Sequence, residues 1–417
     1  MPRPKPAILF IFITLFLDIF GIGVIVPILP RLIEQLQGGD VEAASHAVGY
    51  LGALYAVMQF IFSPVLGSLS DRFGRRVVIL GSLFGSGVDY LFLAWAPTLG
   101  WLYVGRIISG ITASNFTAAN AYIADVTPPE KRAAGYGIVG AAFGLGFIAG
   151  PAVGGLLGEH GLRLPFIVSA CITLLNWLYG AFVLPESLAP ENRRKFTWAS
   201  AHPIKAFLGL GRWPMVAALA STHFIFSLIH NIYPSLWVLY TGVRYGWDSW
   251  DVGLSLAMVG VMASIVQAGL AGRILGALGE RKGLCLGILV MAIALAGYGL
   301  APWPSLIYVL IVFGSIGGIA DPAAQSLISK AVPANEQGAV QGALNSLTSV
   351  AGIVGPLLWT YLFSWSMAST SPMPGLPFVV AGVLTLASLV LTARIFKLPE
   401  TLPSVVVKDT EVEEPTL

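Results

Sequence analysis

Residues 67–76 read Gly67-Ser68-Leu69-Ser70-Asp71-Arg72-Phe73-Gly74-Arg75-Arg76, one acid and three arginines wedged between the apolar runs 48–66 and 77–95. At 1.5 Å per residue each run is long enough to cross a hydrocarbon core of about 30 Å. A linker this short between two such runs lies at one face of a membrane. Lysine and arginine collect in cytoplasmic loops, so the arginines assign that face to the cytoplasm. Shifting the chain by 205 residues brings up a weaker copy, Gly272-Arg273-Ile274-Leu275-Gly276-Ala277-Leu278-Gly279-Glu280-Arg281-Lys282, with Gly67 over Gly272 and Gly74 over Gly279. The same shift lays Gly150-Pro151 on Gly355-Pro356, Pro128 on Pro333 and Asn120 on Gln325. One ungapped register over so long a stretch is an internal repeat, the architectural signature of secondary transporters.

Composition agrees. The 417 residues are 56% hydrophobic and 11% charged, with 48 glycines, less than half the charge of an average soluble domain. The formal net charge of +2 and the lack of a long basic stretch interleaved with aromatics exclude a nucleic-acid footprint. Cys171 and Cys285 lie in different halves, inside apolar runs, which argues against a disulfide scaffold or a metal site. The apolar stretch from Ala7 continues through Pro27 without a small-residue cleavage site and reads as a retained first helix, not a signal peptide.

Runs bounded by charge, Pro or Gly give twelve spans, near 7–30, 47–67, 76–96, 99–122, 134–157, 164–184, 214–239, 251–272, 282–301, 304–328, 338–363 and 375–396. The expected fold is therefore an all-α integral membrane protein of twelve transmembrane helices in two pseudo-symmetric six-helix bundles, residues 1–184 and 214–397. Residues 185–213, basic and proline-containing, form a cytoplasmic linker, and 398–417 a disordered acidic tail. With both termini in the cytoplasm, all but Arg31, Arg163, Arg244 and the in-span Arg106 of the 23 Lys and Arg fall on the cytoplasmic side.

Gly67–Arg76 matches the loop motif GxLxDRxGRR of the major facilitator superfamily, and Gly146-Phe147-Ile148-Ala149-Gly150-Pro151-Ala152-Val153-Gly154-Gly155 resembles the fifth-helix motif of its drug:proton antiporter branch. Leu17-Asp18-Ile19-Phe20-Gly21, Asp89-Tyr90-Leu91, Gly105-Arg106-Ile107-Ile108-Ser109-Gly110 and Trp237-Val238-Leu239 resemble the tetracycline/proton antiporter group, nearly end to end. The resemblance implies alternating access to a central cavity and export of an amphipathic organic compound against proton entry. The lack of long loops that look glycosylated favours a bacterial inner membrane over an organellar one, and the expectation is a monomer whose partners are substrate, protons and lipid, with the proton gradient as energy source and no cofactor. The second half departs from the group: where those antiporters carry a histidine in the eighth span and an aspartate in the ninth, this chain has Ala263 and Met291.

Charge inside a bilayer is costly, so each ionisable residue within a span points to function. Asp18, mid-way along the first span between Leu17 and Ile19, either carries a proton from one face to the other or hydrogen-bonds a neighbouring helix. The resemblance implies the first role, and adds Asp89 and Arg106 to proton coupling. A permanently charged Arg106 facing the bundle is expected to hold an acid such as Asp18 ionised. His223 and His230 in the seventh span and Asp321 before Pro322 in the tenth are further candidates, with Asp321 a secondary proton carrier at a broken helix. The resemblance implies that Gly67, Asp71, Arg72, Gly74, Arg75 and Arg76 form a conformational latch with Asp125. Gly146, Gly150, Pro151, Gly154 and Gly155 let helices approach closely. Polar amides and aromatics proposed to line the cavity are Gln59, Asn115, Phe116, Asn120, Phe143, His230, Tyr233, Trp237, Gln267, Gln325 and Asn345, with Gln341 beside them.

A metabolite or metallophore carrier, working by uniport or symport, is the alternative within transport. A membrane enzyme or receptor finds no support, because HExxH, GxSxG and useful Cys/His spacings are absent from the sequence, and no GxxxxGK[ST] exists to bind ATP.

Overall fold

The computed structural model describes residues 5–113, 115–127, 132–193, 214–332 and 337–396. Most of the expected linker (194–213) and all of the expected tail lie outside the described residues. Those described form helices and short connections, without a strand. The first half holds α1 (Lys5–Ile25), α2 (Leu29–Leu36), α3 (Val41–Phe73), α4 (Arg75–Trp95), α5 (Leu99–Thr112), α6 (Asn115–Val126), α7 (Arg132–Glu159) and α8 (Leu164–Val183). The second holds α9 (Pro214–His230), α10 (Ile232–Tyr245), α11 (Ser249–Ile265), α12 (Ala271–Leu278), α13 (Glu280–Leu300), α14 (Pro304–Ser315), α15 (Ala320–Lys330), α16 (Gln337–Met367) and α17 (Leu376–Ile395).

Among the described residues, ten stretches are long and apolar enough to cross a membrane as helices. The other two expected spans, the fourth and the seventh, are each divided into two shorter helices, α5 with α6 and α9 with α10. The divisions obey the repeat. The first span is interrupted at 26–28 and the seventh at Asn231, while the fourth is interrupted at Ala113 and the tenth by a 3₁₀ turn, Ile316–Ile319. Each pair is about 205 residues apart. In the tenth span the Gly317-Gly318 turn makes the break, and Asp321 falls in the first turn of α15, where an acid complements the helix dipole. The 205 shift also relates two chain reversals: Gly74 at φ +107° ends α3 and Gly279 at φ +77° ends α12. Only glycine adopts such angles without steric cost, which is why both copies of the loop keep it.

The two halves meet at one end. One buried cluster contains residues of both, from Ile25, Leu51 and Leu102 to Trp237, Tyr298 and Phe378. Toward the arginine-rich end it gives way to two separate clusters, Phe10 to Leu184 in the first half and Val216 to Leu344 in the second. Lipid is as apolar as leucine, so the halves close by backbone approach, not by hydrophobic burial. Ser45 Oγ donates to the Thr360 carbonyl at 2.9 Å, linking α3 to α16, and a methyl added at Gly52 would sit 3.2 Å from Pro356. Between α7 and α11, one added at Gly155 would lie 2.6 Å from the Ser249 carbonyl, and one at Gly260 2.7 Å from Ile148. Further toward the arginine end, Gly140 and Gly137 of α7 face open space. The protein is thus sealed at the far end and cleft at the arginine-bearing end.

Candidate functional site: a buried charge cluster above a polar cleft

Asp89 on α4 has no solvent exposure, and its Oδ2 forms an ion pair with Arg106 Nη2 on α5. The antiparallel α4–α5 hairpin turns at 96–98, so residues 89 and 106 stand at the same height on facing helices. Gly105 gives the room: a Cβ there would lie 2.5 Å from Asp89 Oδ1. The guanidinium is centred 5.9 Å over the Tyr55 ring of α3. The pair is incompletely satisfied, because Asp89 Oδ1 and Arg106 Nε are buried without a hydrogen-bond partner. Such a network is sensitive to any change of charge nearby.

Asp18 of α1 is 4% exposed and, with Asp89 and Arg106, acts electrostatically on both Tyr55 and Tyr90. Tyr90 reaches α1 directly, its ring lying 3.5 Å from where a Cβ on Gly21 would be. Two carboxyls, one arginine and two phenols on four helices therefore form one group. Arg106 pairs with Asp89, the acid that the short hairpin places beside it, and Asp18 belongs to the same group from α1. The hairpin symmetry is the signal that could have found the pair. Tyr55 was missed because an aromatic in an apolar run reads as packing. Beside the group, Asn176 Nδ2 of α8 donates to the Thr14 carbonyl at 3.2 Å and Ser169 Oγ to the Gly21 carbonyl at 3.2 Å, holding α1 in place.

Fifth-span glycines serve two contacts. Gly146, Gly150 and Gly154 pack α7 on α1 at Ile19, Phe20, Gly23 and Val24, whereas Gly155 packs it on α11 and the Pro151 carbonyl meets Gly253. In the repeat, Gly355 meets Asn231 and Leu228, the latter being the mate of Gly23, while Pro356 meets Gly52.

At the arginine end, Arg75 contacts Asp71 at 2.5 Å, Ser70 at 3.1 Å and Asp125 at 3.2 Å. Asp125 also accepts from Ser187 Oγ at 3.0 Å. Glu186, which the sequence reading placed in the linker, accepts from the backbone N–H of Arg75 at 2.8 Å and of Arg76 at 3.2 Å and so caps α4, whose positive dipole end favours a carboxylate. Arg76 donates to the Ala181 carbonyl. Arg72 lies 4.9 Å over the ring of its neighbour Phe73, and Gly67 faces open space. These contacts join the first half to the start of the linker, at Glu186 and Ser187. The second half holds the matching pair, Glu280 with Lys330 Nζ at 2.6 Å. Glu280 is the repeat mate of Arg75, and Lys330 of Asp125, so the same bridge recurs with its signs exchanged.

The proposed cavity residues divide. Asn120, His230, Gln267, Gln325 and Asn345 are exposed, Gln59 and Tyr233 are half-buried, and Phe143 is exposed and stacks on Phe147 at 6.1 Å. Gln267 lies in a π-turn, Val266–Leu270. Asn115 and Phe116 open α6, and their side chains lie outside those described. Trp237 differs from expectation: it is 2% exposed and donates its indole N–H to Ser255 Oγ at 2.9 Å, inside the aromatic seal of Tyr240, Trp247, Tyr298 and Phe378. The break at Asn231 separates it from the cleft-facing stretch of α9. Met291 packs its Cβ 3.1 Å from the site a Gly317 Cβ would take, filling the ninth-span position with packing in place of charge. Among the described residues no group of three or more His, Cys, Asp or Glu could hold a metal ion.

Comparison with known proteins adds the lineage. The sequence profile described as Major Facilitator Superfamily matches residues 11–278 and 265–416. The tetracycline resistance protein of class C from Escherichia coli is 39% identical over 387 residues, covering 93% of this chain and 96% of that one. The class D protein from Salmonella ordonez is 40% identical over 369 residues, covering 88% and 91%. Among solved structures, nucleoside transporter NupG superposes with a TM-score of 0.76 at 13% identity over 94% of this chain and all of that one, a likeness of fold.

Proposed function

Because the chain belongs to the Major Facilitator Superfamily, a family of transporters and not of enzymes, we propose that it exports amphipathic organic compounds of the tetracycline type from the cytoplasm of a bacterium in exchange for protons. The observation that carries this is the group of Asp18, Asp89, Arg106, Tyr55 and Tyr90, ionisable side chains of four helices brought together inside the spans of the first half. With the arginine-rich end in the cytoplasm, the structure is the inward-open state, in which an amphipathic compound enters from inside. Residues 1–184 and 214–397 rock as two bundles about the linker 185–213, and opening the far end exposes the charge group to protons from outside. Asp18 is the proton carrier. The Asp89–Arg106 pair sets the charge it feels, so protonation and release are tied to which end is open. Arg75, Asp71 and Asp125 govern the closing of the cytoplasmic end, and the proton gradient is the energy source. The chain acts as a monomer in the inner membrane.

The test is uptake of tetracycline into everted membrane vesicles energised by an inward-acid pH gradient. Accumulation that nigericin abolishes supports export by proton exchange. Accumulation indifferent to the gradient removes the proton from the mechanism and favours a metabolite or metallophore carrier working by uniport.

A further inference from the structure

The second half's wall of the cleft carries three ionisable side chains that the charge group above does not use. His223 and His230 stand two turns apart on α9, and Asp321 opens α15. Asp321 acts electrostatically on both histidines, which places its carboxylate within charge range of both imidazoles. Thr348 of α16 ties the wall together. Its hydroxyl oxygen lies 3.1 Å from the Leu344 carbonyl, 2.9 Å from His223 Nε2 and 3.3 Å from Ser227 Oγ, so one hydroxyl joins α16 to two residues of α9.

The direction in which this wall looks follows from α16. The face bearing Gln341, Asn345 and Thr348 is the one that further along, at Gly352 and Pro356, packs on Ala56 and Gly52 of α3. It therefore faces the first half across the cleft. Gln341 Nε2 reaches Gln325 Oε1 at 2.9 Å, one turn beyond Asp321 on α15, which extends the wall to the carboxylate. Asp321, Gln325, His230 and Asn345 are exposed although they lie within spans, and polar groups at that depth face water, because lipid would leave them unsatisfied.

The two halves differ in how their acids are met. Asp89 is closed by a permanent cation, Arg106. Among the described residues no lysine or arginine lies within salt-bridge distance of Asp321, and its titratable neighbours are imidazoles. The repeat makes the contrast sharper, since His223 is the mate of Asp18. At one depth the first half offers a carboxyl and the second an imidazole. We propose that Asp321, flanked by His223 and His230, binds the positively charged nitrogen of the transported compound, so that the second half selects organic cations while the first half handles the proton. The carboxylate supplies a negative charge that the cationic nitrogen can meet. Tyr233, edge-on to His230 with ring centroids 5.8 Å apart, supplies an aromatic surface beside it. This rests on the export reading above and adds a substrate class to it.

Binding is tested first, on the full-length protein in nanodiscs with the permanent cation tetraphenylphosphonium as probe. Asp321→Asn is expected to weaken binding about tenfold, the loss of one contact to a charged group, and Asp321→Glu to restore most of it. Glu191→Gln, which removes an exposed acid outside the spans, is expected to bind as wild type does. Equal binding by wild type and Asp321→Asn, with both melting at the same temperature, overturns the assignment. So does equal loss in Asp321→Asn and Glu191→Gln, which marks a general effect of charge and not a site. Transport in everted vesicles then compares tetracycline with 4-dedimethylaminotetracycline, the same skeleton without its amine. Wild type is expected to prefer the amine-bearing compound and Asp321→Asn to lose that preference. If wild type moves neither compound yet binds the cation through Asp321, the tetracycline reading fails and the cation site stands.

Discussion

Arg106 meets Asp89 across the α4–α5 hairpin, and the bridge leaves Asp89 Oδ1 and Arg106 Nε buried without partners. A buried pair of this kind contributes little as a pair and a great deal as a constraint, because removing one member strands the other. Arg106→Ala is therefore expected to destabilise by about 3–5 kcal/mol. The double variant Asp89→Asn with Arg106→Gln is expected to lose much less, and Arg106→Lys to be a poor substitute, since an ammonium lacks the planar fork. Thermal unfolding in detergent of the three variants checks this. Equal losses in Arg106→Ala and in the double variant would show that the bridge is not what holds α4 to α5.

The far-end seal depends on close approach between α3 and α16. Ala56 and Gly352 face each other closely enough that a Cβ on Gly352 would lie 3.6 Å from that of Ala56, within the range of a disulfide. Ala56→Cys with Gly352→Cys, in a chain whose Cys171 and Cys285 are replaced by serine, is expected to cross-link under mild oxidation, to stop transport and to recover on reduction. Cross-linked protein that still transports would mean that the far end need not open.

Arg75–Asp125 and Glu280–Lys330 occupy repeat-related positions with opposite polarity. As partly exposed pairs they contribute little to stability, so their role lies in the transport cycle. Arg75→Glu alone is expected to slow transport severalfold with little change in melting temperature. Adding Asp125→Lys, which gives the first half the sign order of the second, is expected to recover most of the rate. A double variant as slow as the single one would show that Arg75 acts through a group other than Asp125.

Much of this was readable in the chain. The 205-residue register gave the two halves, and the same register locates the helix breaks, the two positive-φ glycines and the exchanged bridge, because repeated folds repeat their backbone exceptions as well as their apolar pattern. Asp18, Asp89 and Arg106 stood out because charge in an apolar run is rare. What periodicity alone did not convey was partnership. That Arg106 meets Asp89 depends on the height of each residue above a turn at 96–98. That Trp237 joins the seal depends on a break at Asn231, and Pro234 in the first turn of α10, which leaves the His230 carbonyl without a helical donor, is the local signal for it. Glu186 lay beyond the last apolar residue of its span, where a carboxylate reads as loop until the open end of α4 is seen beside it.

The central claim is that Asp18 carries the proton that substrate export consumes. The most direct measurement is internal pH in proteoliposomes holding a pH gradient, read by an enclosed dye while tetracycline is added to wild type and to Asp18→Asn. The account predicts that tetracycline collapses the gradient through wild type and leaves it standing in the variant, with tetracycline binding retained in both. A variant that moves protons as wild type does, or a wild type whose gradient does not respond to any tetracycline, would contradict it.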